Sequence, residues 1–119
     1  MEIDFGIVDG NSDIGSVTYN HSKDGRLLRR QLAREILSNT GVWADVAFLH
    51  QDRDPNTDGW KPARITVARF RRIGGLWRKQ NHLNINTAKR ADQIIAILSA
   101  WRGMVESIDG EWANHGKDR

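Results

Sequence analysis

Two β-patterned runs, Arg64–Ile73 and Leu76–Asn86, flank the dipeptide Gly74-Gly75. No other feature constrains the chain as much. A Gly-Gly pair accepts the positive φ angles that a two-residue hairpin turn requires. With those two residues as the loop, Ile73 faces Leu76, Arg72 faces Trp77, Arg71 faces Arg78 and Phe70 faces Lys79. Side chains alternate with a period of two, so the register sorts the hairpin into faces. One face collects Thr66, Ala68, Phe70, Trp77, Leu83 and Ile85, a core face with Arg72, Lys79 and Asn81 at its rim. The other collects Arg69, Arg71, Arg78, Gln80, His82 and Asn84. Ile65 and Val67 also fall on this polar face, where they either lie under the N-terminal strands or mark a β-bulge that shifts the register.

Charge follows the same boundary. Residues 61–90 hold Lys61, Arg64, Arg69, Arg71, Arg72, Arg78, Lys79, Lys89 and Arg90 and no acid, in a chain with 15 Asp and Glu and a net charge of only +3. Both flanking thirds are net acidic. Such asymmetry points to an anionic partner. Arg71 opposite Arg78 sharpens the argument, because like charges on directly paired residues destabilise a sheet unless a counter-charge answers them. That counter-charge is either external, such as phosphate, or internal, such as Asp45 on a neighbouring strand.

The rest of the chain reads as follows. Ile3–Tyr19 is expected to form two short strands around Asp9–Asp13. A helix is expected over Gly25–Ser38, capped by Ser22 or Asp24, with Leu28, Leu32 and Ile36 as its buried stripe. Gly41–Gln51 alternates as a strand, with Val42, Ala44, Val46 and Phe48 on one side and Trp43, Asp45 and Leu49 on the other. Gln51–Pro62 is a loop. A second helix starts at a Thr87 cap, follows a 3.6-residue period through Ala91, Ile94, Ile95, Leu98, Trp101 and Val105, and ends near Ser107–Gly110. Its stripe continues through Met104, Ile108 and Trp112, long enough either to complete the core or to contact a second copy or another protein.

The expected architecture is therefore one α+β domain over residues 1–113, with 114–119 a frayed tail. It has a mostly antiparallel sheet of four to five strands, two helices packed on one face, and the order β-β-α-β-β-β-α. The α-β-β-β-α run from 25 to 106 resembles double-stranded RNA-binding domains in element order alone, an analogy that transfers no residue roles.

Several chemistries have no support in the residues. The chain has no cysteine, which excludes disulfides, thiol catalysis and cysteine-ligated metals. No HExxH, GxSxG or phosphate-loop motif occurs. Asp54–Gly59 matches the start of a calcium loop, but its closing position is Ile65, so an Asx-type turn is the expected reading. His50 with Asp52 and Asp54 leaves a small metal-dependent nuclease as a minor alternative. No run reaches the ~18 apolar residues of a membrane span. The first residues, Met1-Glu2-Ile3-Asp4-Phe5, lack a signal-peptide pattern, so a soluble, cytoplasmic protein is expected.

The expected function is non-enzymatic binding of nucleic acid, DNA or RNA, without cofactor or metal. Arg69, Arg71 and Arg78 would meet phosphate, Gln80, His82 and Asn84 would supply hydrogen bonds, and Lys89 and Arg90 would add charge at a helix start. Trp43, Trp60 and His82 are the candidate stacking platforms. The alternatives are a protein-interaction or inhibitor module whose basic sheet meets an acidic protein surface, and a homodimer joined through the same sheet.

Overall fold

The computed structural model describes residues 13–117, with side chains through Gly110. The chain forms two compact units that meet at Asn86 and Thr87. The first is a curled five-stranded antiparallel sheet in strand order β1-β2-β3-β4-β5. Its strands are β1 (His21–Lys23), β2 (Arg26–Asn39), β3 (Trp43–Asp52), β4 (Arg64–Ile73) and β5 (Leu76–Ile85). The second unit is one helix, α1 (Ala88–Lys117).

Burial in β3 and β4 has a period of two. Ala44, Val46, Phe48 and His50 are buried on β3, and Thr66, Ala68 and Phe70 on β4. Trp77 joins them from β5. Ile14, Val17 and Tyr19, from the segment ahead of β1, complete the core. The Tyr19 and Phe48 rings stack with centroids 4.8 Å apart, and Phe70 meets Phe48 edge-on at 6.3 Å. Burying each large side chain of this set contributes roughly 1.5–3 kcal/mol.

The largest correction concerns residues 25–38. They form strand β2 and not a helix, so the fold has one helix where two packed on a sheet were expected. The likeness in element order to double-stranded RNA-binding domains ends there. Leu, Arg, Gln, Ala and Glu are all good helix formers, and pairing with β3 overrides that propensity. Two bulges, between Gln31 and Ala33 and between Ile36 and Ser38, each add a residue. The residues on the core side therefore run 29, 31, 34, 36, 39, an irregular spacing that hides the strand period. Asp24 and Gly25, at φ 53° and 75°, form the β1–β2 hairpin turn, so Asp24 is a turn residue and not a helix cap.

Two further expectations change. Ile3–Ile7 lies outside the described residues, and residues 14–19 form no strand: Ile14–Ser16 is a single 3₁₀ turn capped by the Asp13 side chain. At the other end, α1 passes the stop expected near Ser107–Gly110 and runs to Lys117, into the expected tail. Its start agrees with the sequence reading, since Thr87 Oγ1 accepts from the Arg90 N–H at 3.0 Å. Ile95, Leu98, Trp101, Val105 and Ile108 of the helix stripe are exposed. Among the described residues no helix is long and apolar enough to cross a membrane.

Candidate nucleic-acid interface

The hairpin turn is formed by Gly74 and Gly75 at φ 61° and 79°. The pairs Ile73–Leu76, Arg72–Trp77, Arg71–Arg78 and Phe70–Lys79 follow, as the turn chemistry requires. Beyond them the register shifts at a bulge formed by Gln80. Asn81 then faces Arg69, His82 faces Ala68, Leu83 faces Val67, Asn84 faces Thr66 and Ile85 faces Ile65.

That single residue re-sorts the distal half of β5. Leu83, expected in the core, joins Val67 on the outer face and is exposed, whereas Ile85, opposite Ile65, is buried as expected. His82 and Asn84, expected beside the arginines, pair instead with core-facing residues. Asn84 stays exposed, and its Oδ1 accepts from the buried Thr66 Oγ1 at 2.7 Å. His82 stays exposed on the edge strand and borders a shallow groove with Asp45, Val67, Arg69, Asn81 and Leu83. Of the expected face, the structure brings together Arg69, Arg71 and Arg78. Lys89 and Arg90 lie in the first turn of α1, in the other unit.

The three arginines are not equivalent. Arg69 grips Asp45 across β3 and β4 with two bonds, Nε to Oδ1 at 2.8 Å and Nη2 to Oδ2 at 3.0 Å. Ser38 Oγ adds a third bond to the same carboxylate at 3.2 Å. The Arg69 hydrogen bonds hold the Asp45 carboxyl below its ordinary range, against a partial opposing effect of burial. Arg69 thus has its counter-charge inside the fold. Arg71 and Arg78 have no acidic partner among the described residues. Arg71 instead places its guanidinium 5.3 Å from the centre of the Trp43 ring, with that of Arg69 at 5.7 Å. Trp43 is 39% exposed, so the ring is open to solvent beside both cations.

A second aromatic group lies at the far end of β3. Arg30 and Arg53 sit over the Trp60 ring at 4.4 and 4.1 Å. Arg30 is fixed by two bonds to Gln51 Oε1, and Arg53 by bonds to the Leu27 carbonyl. Trp60 was legible as a candidate stacker. Arg30 and Arg53 were not, because the pairing Arg30–Gln51 exists only once β2 is a strand. Trp43 and Gln51 share the outer face of β3, so these two groups mark its ends, roughly 27 Å apart. Between them the outer face holds Asp45 with Arg69 and, on β2 opposite Ala47, Glu35, around an apolar centre of Ala47, Leu49, Ile65, Val67 and Leu83.

The acidic residues that suggested metal chemistry are engaged elsewhere. Asp52 is held by Arg29 Nε at 2.7 Å and by Arg64. Those arginines keep its carboxyl below the usual range although burial opposes them. His50 is 2% exposed, and its Nε2 lies 2.7 Å from Thr66 Oγ1. Burial first, then the charge of Arg29, lowers its pKa from 6.5 to about 4, so the ring is neutral at pH 7. Asp54 Oδ1 accepts from the Asn56 N–H at 2.8 Å, which makes the loop an Asx turn. Asp58 pairs with Arg26. No cluster of metal-ligating side chains occurs among the described residues.

No protein-family model, curated protein or solved structure matches this chain.

Proposed function

We propose that this chain is a non-enzymatic nucleic-acid-binding module that takes a single strand across the outer face of its sheet. One observation carries the reading. Arg71 and Arg78 are direct cross-strand partners with no acid beside them among the described residues, and Arg71 stacks over a solvent-open Trp43. Like charges held together at a cost fit a face whose counter-ion is a ligand. An open indole beside a guanidinium fits a base that stacks while its phosphate is neutralised. A duplex offers no base face to an indole on a sheet, which favours single strands.

Trp60 with Arg30 and Arg53 supplies a second cation–aromatic group on the same path. Arg69, bound to Asp45, acts as a fixed wall of the groove and not as a phosphate contact. His82 and Asn81 border that groove and supply hydrogen bonds to bases or sugars. The sheet-dimer alternative gains no such support, because Asp52 and Asp58, the acids of the loop that would answer the basic sheet, already serve Arg29, Arg64 and Arg26 within the chain.

The test is fluorescence anisotropy with labelled single- and double-stranded DNA and RNA across a salt series. Single strands should bind more tightly, with a log–log salt slope of about 0.7 per phosphate neutralised. Absence of binding at low salt would sink the proposal.

A further inference from the structure

We infer that the exposed Asn84 sets which nitrogen of the buried His50 carries the proton, with the Thr66 hydroxyl as the link between them. The three side chains stand on successive strands, His50 on β3, Thr66 on β4 and Asn84 on β5. Thr66 Oγ1 has one hydrogen to give, and the Asn84 amide oxygen takes it at 2.7 Å. An amide oxygen can only accept, so the direction of that bond is fixed. The same Oγ1 lies 2.7 Å from His50 Nε2, and with its hydrogen engaged it can only accept there. Nε2 therefore donates, and His50 is the Nε2–H tautomer. Nδ1 is left as a bare lone pair, buried and without a hydrogen-bond partner among the described residues.

The other tautomer has its partner close by. Asp52 Oδ1 lies 4.0 Å from Nδ1, outside hydrogen-bond reach but on the same face of β3. It accepts from Arg29 Nε at 2.7 Å, and a carboxylate oxygen has room for a second bond. With the proton on Nδ1, a closure of about 1 Å joins the ring to Asp52. Nε2 is then an acceptor, and the Thr66 hydroxyl turns from Asn84 to fill it. The two states differ in the place of one proton and the rotation of one hydroxyl. A surface ligand that turns the Asn84 amide, so that its NH2 group faces Thr66, selects the second state, because Oγ1 must then accept from Asn84 and give its hydrogen to Nε2. Burial first, then the charge of Arg29, keeps the ring neutral at pH 7, so the link selects a tautomer and not a charge. Arg29 on β2, Asp52 on β3 and Arg64 on β4 face the ring, and Tyr19, ahead of β1, lies against it with centroids 4.7 Å apart. Asp52 ties Arg29 to Arg64, so an event at the end of β5 is carried to the ion pairs that join β2, β3 and β4.

The test is long-range proton–nitrogen NMR correlation of the imidazole rings in the full chain at pH 7. It uses no nucleic acid, so its outcome is independent of the proposed function. The His50 signals are identified by their loss in His50→Gln. The parent should carry the proton on Nε2. Asn84→Asp, which can only accept at this pH, should keep that tautomer. Asn84→Ala should raise the ratio of Nδ1–H to Nε2–H at least about fivefold, the lower end of coupling between linked sites. Thr66→Val keeps the shape and removes the link, and should leave Nδ1–H dominant. Thr66→Ser keeps the hydroxyl and should retain Nε2–H. A parent with its proton on Nδ1 would overturn the inference. So would an unchanged tautomer ratio in Asn84→Ala, a surface variant whose reading does not depend on whether Thr66→Val folds.

Discussion

Arg71 and Arg78 sit directly opposite each other on β4 and β5, two guanidinium side chains on adjacent strands with no carboxylate beside them among the described residues. Removing one charge should have opposite effects on folding and binding. Arg71→Gln is expected to raise stability by roughly 0.2–1 kcal/mol, the cost of a like-charged pair. The same substitution should weaken single-strand binding and lower the salt slope by about 0.7, one phosphate contact. Thermal denaturation and anisotropy on the same preparation check both. Arg71→Glu with Arg78→Glu should abolish binding without lowering the melting temperature.

Asp45 withholds Arg69 from any ligand. Asp45→Asn keeps the shape and removes the charge, so Arg69 becomes available to phosphate. Affinity should rise and the salt slope should steepen by about 0.7. Stability should fall only slightly, since the pair is open to solvent. An unchanged slope would mean that the groove beside Arg69 is not on the path of the strand.

Trp43 is the aromatic half of the same arrangement. Trp43→Ala should lose the roughly 1–3 kcal/mol that stacking one base contributes. Trp43→Phe should keep most of it. Titration of the parent with an unlabelled oligonucleotide should quench indole fluorescence, and the Trp43→Ala variant should show less quenching.

His50 predicts the pH dependence of folding. Its folded pKa of about 4 lies below the unfolded value of 6.5. Between those values the unfolded chain holds a proton that the folded one does not. Stability from this residue is therefore complete above pH 6.5 and is lost as pH falls toward 4. The loss amounts to about 3 kcal/mol. The Asp52 carboxyl, lowered by Arg29 and Arg64, adds a further loss below about pH 4. Urea unfolding at a series of pH values measures both, and His50→Gln should flatten the upper part of the profile.

The sheet's centre was legible in the sequence because its signals are local. Gly74-Gly75 sets the turn, and Ala44, Val46 and Phe48 alternate cleanly with their exposed neighbours. Strand β2 was not legible, because its two bulges break the alternation and its residues favour helix. The Asp24-Gly25 hairpin signal was present but equally compatible with a helix cap. At the candidate site the cations of the hairpin were readable, and so was Asp45 as a possible counter-ion. Its commitment to Arg69 alone depends on strand order, as does the meeting of Trp60 with Arg30 and Arg53. Asp45 and Arg69 are 24 positions apart and Arg30 and Trp60 are 30 apart, so these contacts leave no local pattern.

The bulge at Gln80 is a spare residue that keeps two halves of β5 in step with β4. Gln80 lies between the Phe70–Lys79 and Arg69–Asn81 pairs, so deleting it would join Lys79 to Asn81 in a regular ladder and leave Leu83 opposite Val67. Closing the bulge with Gln80 retained would instead slide the distal strand by one residue, setting Leu83 opposite Thr66 and turning half a strand inside out. Loss of Gln80 should therefore be better tolerated than a one-residue insertion between Asn81 and Ile85.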